Sequence, residues 1–222
     1  MTAELGVLLL ADARLPTGGH AHSGGLEPAL AAGLTAAQVP DYITTRLRTV
    51  GLVEAAAAVL ALRSARTDPD RLGAVQEALT ARTPSAPQRH ASGLLGRGLV
   101  RLAERLWPEN PAVRALGGLG LAPLRPVVLG VVAAAVGMDE VQVARASLYD
   151  DAQTVAAAAL KLLPVDPTEA TRWLLRAEPT MTDIITRAIR VTCPDDLPAV
   201  TAPLIEQWSL EHHGRTRRIF VA

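Results

Sequence analysis

The sequence predicts an all-α protein: a single-domain bundle of about ten helices spanning residues 1–222. Three observations carry that reading. Apolar residues recur at three- and four-residue spacing from end to end, and sustained two-residue alternation is missing. The chain is 49% hydrophobic but only 3% aromatic, so alanine, leucine, valine and isoleucine must build the core. Alanine and leucine are strong helix formers, and small side chains let helix axes approach closely. Helix-start signals also recur, in which Asp or Thr is followed by Pro or by a glutamine at capping-box spacing.

In chain order, residues 5–13 read as a short first helix halted by Pro16 and the glycines beyond it. His22 or Ser23 caps a second helix, which carries Leu26, Glu27 and Leu30 and stops at Gly33. Thr35 and Gln38 have capping-box spacing and begin a long apolar stretch to about Arg66, with a bend expected near Gly51. Asp68-Pro69 restarts a helix. Residues 83–87 form a turn, after which Leu94, Leu95, Leu99, Leu102 and Leu106 make one apolar stripe while Arg97, Arg101 and Arg105 line another face.

Residues 108–120, rich in glycine and proline, read as the loosest part of the chain. Residues 124–136 are apolar around the whole circumference, which places that helix at the centre of the bundle. Asp139 caps a long helix to Leu163, Asp166-Pro167 opens the next, and residues 179–191 and 202–213 supply the last two. A flexible tail is expected from about residue 214, holding Phe220, the only phenylalanine.

The 22 basic and 22 acidic residues cancel, so there is no bulk field to attract nucleic acid or an anionic membrane. No segment supplies the roughly 20 apolar residues a membrane helix needs. Lone Cys193 excludes an intramolecular disulfide and a cysteine-cluster metal site. A cytoplasmic protein fits all of this.

Residues 15–27 pack four glycines, a proline, His20, His22, Ser23 and Glu27 into thirteen positions. Such density marks a shaped turn. His20 and His22 form a His-x-His pair that, on an extended backbone, would put both imidazoles on one side as in many metal sites. A hydrolytic metal centre needs further ligands and a base, so the plain alternative is a polar loop. Ser23 lacks the strand and the preceding glycine of a nucleophile elbow and reads as a helix cap. Glu27 lies in the first turn of that helix, where a carboxylate complements the dipole. A phosphate loop is excluded, because no Gly-Lys-Ser/Thr follows the glycines.

The order Ala11-Asp12, Leu15-Pro16, Gly18-Gly19, His22-Ser23, Gly25-Leu26-Glu27 resembles the signature of the urease accessory protein UreF family. Residues 92–106 are similar to that family's leucine-rich middle helix. Met138-Asp139-Glu140 through Arg145, Leu148 and Tyr149 resembles its long helix, and His212 through Arg218-Ile219-Phe220 resembles its closing motif. The chain departs from the pattern at His20, at His213 and at Asp150-Asp151.

The resemblance implies an all-helical, dimerising protein that is no enzyme and holds no cofactor of its own. It implies partners as well: a UreD (UreH) type accessory protein, the nickel-carrying GTPase UreG, and apo-urease. His20, His22, Ser23, Glu27, His212, Arg218 and Phe220 would then be partner-binding residues, and Arg145 and Tyr149 would lie at or near the dimer contact. No metal site is firm, although His20 and His22 offer transient nickel contact. The rival reading is a metal-dependent hydrolase using His20 and His22.

Overall fold

The computed structural model describes residues 2–12, 15–120, 122–214 and 219–220. Among them every regular element is helical, as the sequence predicts. The α-helices are α1 (Ala3–Ala11), α2 (Leu26–Ala31), α3 (Val39–Arg46), α4 (Leu52–Thr67), α5 (Leu72–Ala81), α6 (Ala86–Leu106), α7 (Pro111–Ala115), α8 (Arg125–Ala135), α9 (Glu140–Leu162), α10 (Pro167–Ala188) and α11 (Pro203–His213).

The centre is the pair α4 and α8, which make the most extensive helix contact in the molecule. Both are apolar around most of their circumference, and Ala55–Leu62 and Pro126–Ala133 are buried without interruption. A side chain at Gly130 would place its Cβ 2.4 Å from the Ala58 carbonyl oxygen and 2.6 Å from the Ala61 Cβ. The two backbones therefore touch through glycine and alanine, which explains a core with so little aromatic volume. α9 lies against α4 and α10, α6 against α8, α1 along α9, and α11 across α2 and α6.

Several helix ends form as the sequence demands. Asp139 and Gln142 make a reciprocal capping box at the start of α9, at 2.7 and 2.8 Å. Asp166 accepts from the Thr168 amide ahead of α10. The expected bend near Gly51 is a π-turn over Leu47–Gly51 that joins α3 to α4. Arg63, at the end of α4, binds both carboxylate oxygens of Glu140 at 2.7 Å and donates to the Ile189 and Val191 carbonyls, tying three helices together. That hydrogen-bonded guanidinium holds the Glu140 carboxyl below its ordinary value.

Four local expectations need correction. The helix break at Pro179 does not occur, and α10 runs through it. Proline removes one backbone donor, whose acceptor would be the Leu175 carbonyl; both residues lie on the exposed side, where that oxygen is open to solvent. The leucine stripe of α6 is not its main buried face: Gly93, Gly96, Gly98, Leu99 and Ala103 are buried, whereas Leu106 is exposed. The stretch 108–120 contains α7 and a 3-10 turn over Leu116–Leu119, because Asn110 caps the Ala112 and Val113 amides. Finally, α2 is capped by Gly25 in the left-handed region, and Ser23 acts from two residues further out.

Candidate functional site

The glycine-rich segment between α1 and α2 is a chain of tight turns. Gly18, at φ +88°, opens a 3-10 turn over Gly19–Ala21, closed by the His22 amide donating to the Gly19 carbonyl at 3.1 Å. Gly25 adopts φ +81°, and a Cβ there would meet the Tyr42 hydroxyl at 2.6 Å. That hydroxyl donates to the Gly24 carbonyl at 2.8 Å, and the Tyr42 ring stacks on Trp208 of α11. On the other side, Gly98 of α6 lets the helix backbone come up to Thr17. The loop is thus wedged between α3, α6 and α9.

This turn chemistry overturns the extended His-x-His arrangement. His20 sits exposed on the 3-10 turn, while His22 is buried. Both imidazoles border one cleft, but from a tight turn rather than from an extended strand. Burial, and after it the neighbouring His20, Arg125 and His90, hold His22 below its ordinary value, so it is neutral near pH 7. Among the described residues no group of three His, Cys, Asp or Glu side chains is placed to hold a metal ion.

Behind the loop lies a cleft whose lining includes the charged and polar residues His22, Arg46, Glu54, Arg125, Asp151 and His212. Arg46 Nε donates to Asp151 Oδ1 at 2.8 Å, and Nη2 stands 2.7 Å from the same oxygen as an ion pair. Arg125 pairs with Asp150 at 2.8 Å. The Glu54 carboxyl is pushed up to about 7 by burial and by the neighbouring Asp151 charge, partly opposed by Arg46 and Arg125. A second cleft adjoins the first, with His22, Arg125, Asp150 and Thr154 bordering both, and there Phe220 sits among Leu10, Leu99 and Leu129.

Glu27 does more than complement a helix dipole. Its Oε1 accepts from the Ile219 amide at 2.7 Å and its Oε2 from the Phe220 amide at 2.8 Å. His212, almost fully buried, places Nε2 3.6 Å from the same Oε2. Ser23 Oγ accepts from the Glu27 amide at 3.3 Å. Lys161, the only lysine, donates to the His20 carbonyl at 3.3 Å and stands 5.1 Å over the Phe220 ring.

Of the residues singled out from sequence, His20, His22, Ser23, Glu27, His212 and Phe220 therefore converge on one end of the bundle. Arg145 and Tyr149 do not join them; both are exposed on the outer face of α9, in line with Val141. Arg218 lies outside the described residues. Sequence reasoning missed Arg46, Glu54, Arg125 and Lys161. The signal for Glu54 was present: it is the one charge in an apolar run from Leu52 to Leu62, just after the bend at Gly51.

The sequence model of the UreF family matches residues 34–178. The chain is 36% identical to the urease accessory protein UreF of Mycolicibacterium vanbaalenii, 38% to that of Mycobacterium bovis and 37% to that of Mycobacterium tuberculosis. Each match covers the whole of both chains. The hydrolase reading of His20 and His22 falls with these relationships, because the relatives are accessory proteins and not catalysts. The chain belongs to the UreF family of urease accessory proteins.

Proposed function

We propose that this chain is a cytoplasmic scaffold for urease maturation, acting with a UreD (UreH) type protein to recruit and regulate the GTPase UreG for nickel insertion into apo-urease. The observation that carries the reading is the convergence of the glycine-rich loop, Glu27, His212 and Phe220 at one end of an alanine-packed bundle. A rigid body bearing one irregular polar end is suited to presenting a shaped surface to other polypeptides. Whole-length similarity to UreF proteins supports the same role.

Nickel in this scheme is cargo. Exposed His20 is available for a passing contact with it, whereas buried His22 has a structural part in the loop. Homodimerisation is proposed through the outer face of α9, where Val141, Arg145 and Tyr149 recur every four residues. Arg145→Glu combined with Tyr149→Asp should then shift a dimer to a monomer in sedimentation, with helical content unchanged.

The role is tested by affinity capture from cells producing all the urease proteins. The full chain should retain both the UreD-type protein and UreG, and a chain ending at Gly214 should lose the UreD-type protein. Equal capture by the two would overturn the assignment of the tail to that surface, and capture of neither partner by the full chain would overturn the scaffold role.

A further inference from the structure

We propose that Glu27 and Lys161 form a seat for the Ile219–Phe220 pair, and that the filled seat holds the Leu15–Gly25 loop in its observed shape. The proposal rests on reading loop and tail as one recognition surface and deepens it: the tail builds the loop as well as adjoining it.

The seat is specific in its chemistry. One carboxylate receives two consecutive backbone amides, which fixes the register of the tail through charge-assisted hydrogen bonds. The side chains divide sharply between the two positions. Ile219 is 69% exposed and contributes little packing, while Phe220 is 3% exposed and fills an apolar recess beneath a lysine cation.

Two links tie that seat to the loop. At one end Lys161 bridges the Phe220 ring and the His20 carbonyl. At the other, Ser23 Oγ accepts from the amide of Glu27, the residue whose carboxylate grips the tail. Between them Leu15, Thr17, Gly19 and His22 line the same recess as Phe220. The loop's own backbone bonds are short-range turns: Leu15 to Asp12, Thr17 to Leu15, Ala21 to Gly18 and His22 to Gly19. Such a segment has little stability apart from what it packs against. Emptying the recess removes one wall from the loop and leaves Lys161 without its ring.

The test is amide hydrogen exchange on the isolated full chain, followed over residues 15–25 and, as an internal standard, over α8. Phe220→Ala and Glu27→Gln should each speed exchange in the loop by roughly tenfold while α8 stays protected, and Phe220→Leu should restore most of the protection. If Phe220→Ala also loosens α8, Glu27→Gln decides the matter, since it keeps side-chain size while removing the charge and one of the two accepting oxygens. Unchanged loop exchange in Glu27→Gln, with α8 intact, would overturn the proposal.

Capture of the UreD-type protein by the same variants separates this inference from the broader one. A loosened loop with undiminished capture supports the seat and refutes the recognition surface. An unchanged loop with lost capture refutes the seat and supports the recognition surface.

Discussion

Replacing Asp151 with alanine strands a buried guanidinium, and the structure fixes both the size and the pH dependence of the damage. The Arg46 side chain is 13% exposed and that of Asp151 9%, with two Arg46 nitrogens on one carboxylate oxygen. Breaking a buried pair from one side costs about 3–5 kcal/mol, because the remaining charge has lost both water and partner. Glu54 moderates that loss. Its carboxyl titrates at about 7, first through burial and second through the Asp151 charge, so removing Asp151 lets it ionise at lower pH beside Arg46.

The sign follows from proton counting. Glu54 holds a proton more tightly in the fold than in the unfolded chain, so its contribution favours the fold on the acid side and fades as pH rises from about 4.5 through about 7. In Asp151→Ala that fade is shallower, although burial remains. A decrease of one pKa unit is worth about 1.4 kcal/mol, so the cost of the mutation should be roughly 1 kcal/mol smaller at pH 8 than at pH 5. Urea unfolding at the two pH values measures it. A cost below about 1 kcal/mol at both, typical of an exposed pair, would refute the buried-pair argument.

Three further outcomes follow from other parts of the fold. His22 is held below its ordinary value, so the unfolded chain binds its proton more readily; stability should fall as pH drops below about 6.5, and His22→Asn should flatten that limb of a pH–stability profile. Gly130→Ala drives a methyl into the Ala58 carbonyl and should cost about 1–3 kcal/mol in urea unfolding, whereas an unchanged midpoint would mean that α4 and α8 can part freely. Pro179→Ala restores a donor in the exposed face of α10 and should raise the melting temperature, with a gain of about 1 kcal/mol; a lower melting temperature would show that the proline ring stabilises the helix.

The all-α body was legible because its strongest signals are local. α8 has no polar face, α9 starts on an Asp139–Gln142 box, and Gln38 Oε1 reaches back to accept from the Thr35 amide and hydroxyl, as their spacing allows. Errors arose where an environment outside the segment decides the outcome. The helix runs through Pro179 on its solvent-exposed side, and close backbone approach makes Gly93, Gly96 and Gly98, with Leu99 and Ala103, the inner face of α6. The irregular loop was recognisable by its glycines, but Gly18 turns it into a 3-10 bend, which sends His20 outward and leaves His22 buried.

The contacts that assemble the site were not readable from spacing. Arg46 and Asp151 are 105 positions apart, and Glu27 and Phe220 are 193 apart. A charge within an apolar stretch announces that a partner is required without saying which one. Asp150-Asp151 stood out as a departure from the family pattern, and the structure gives it a reason: each carboxylate answers a different arginine, Arg125 and Arg46.

The most direct test of the whole account is urease activity, with nickel content of the purified enzyme, in a host lacking its own UreF and supplied with this chain together with its cognate urease proteins. The account predicts that activity and nickel rise together with the full chain and stay at background without it. Active, nickel-loaded urease appearing equally in its absence would contradict it.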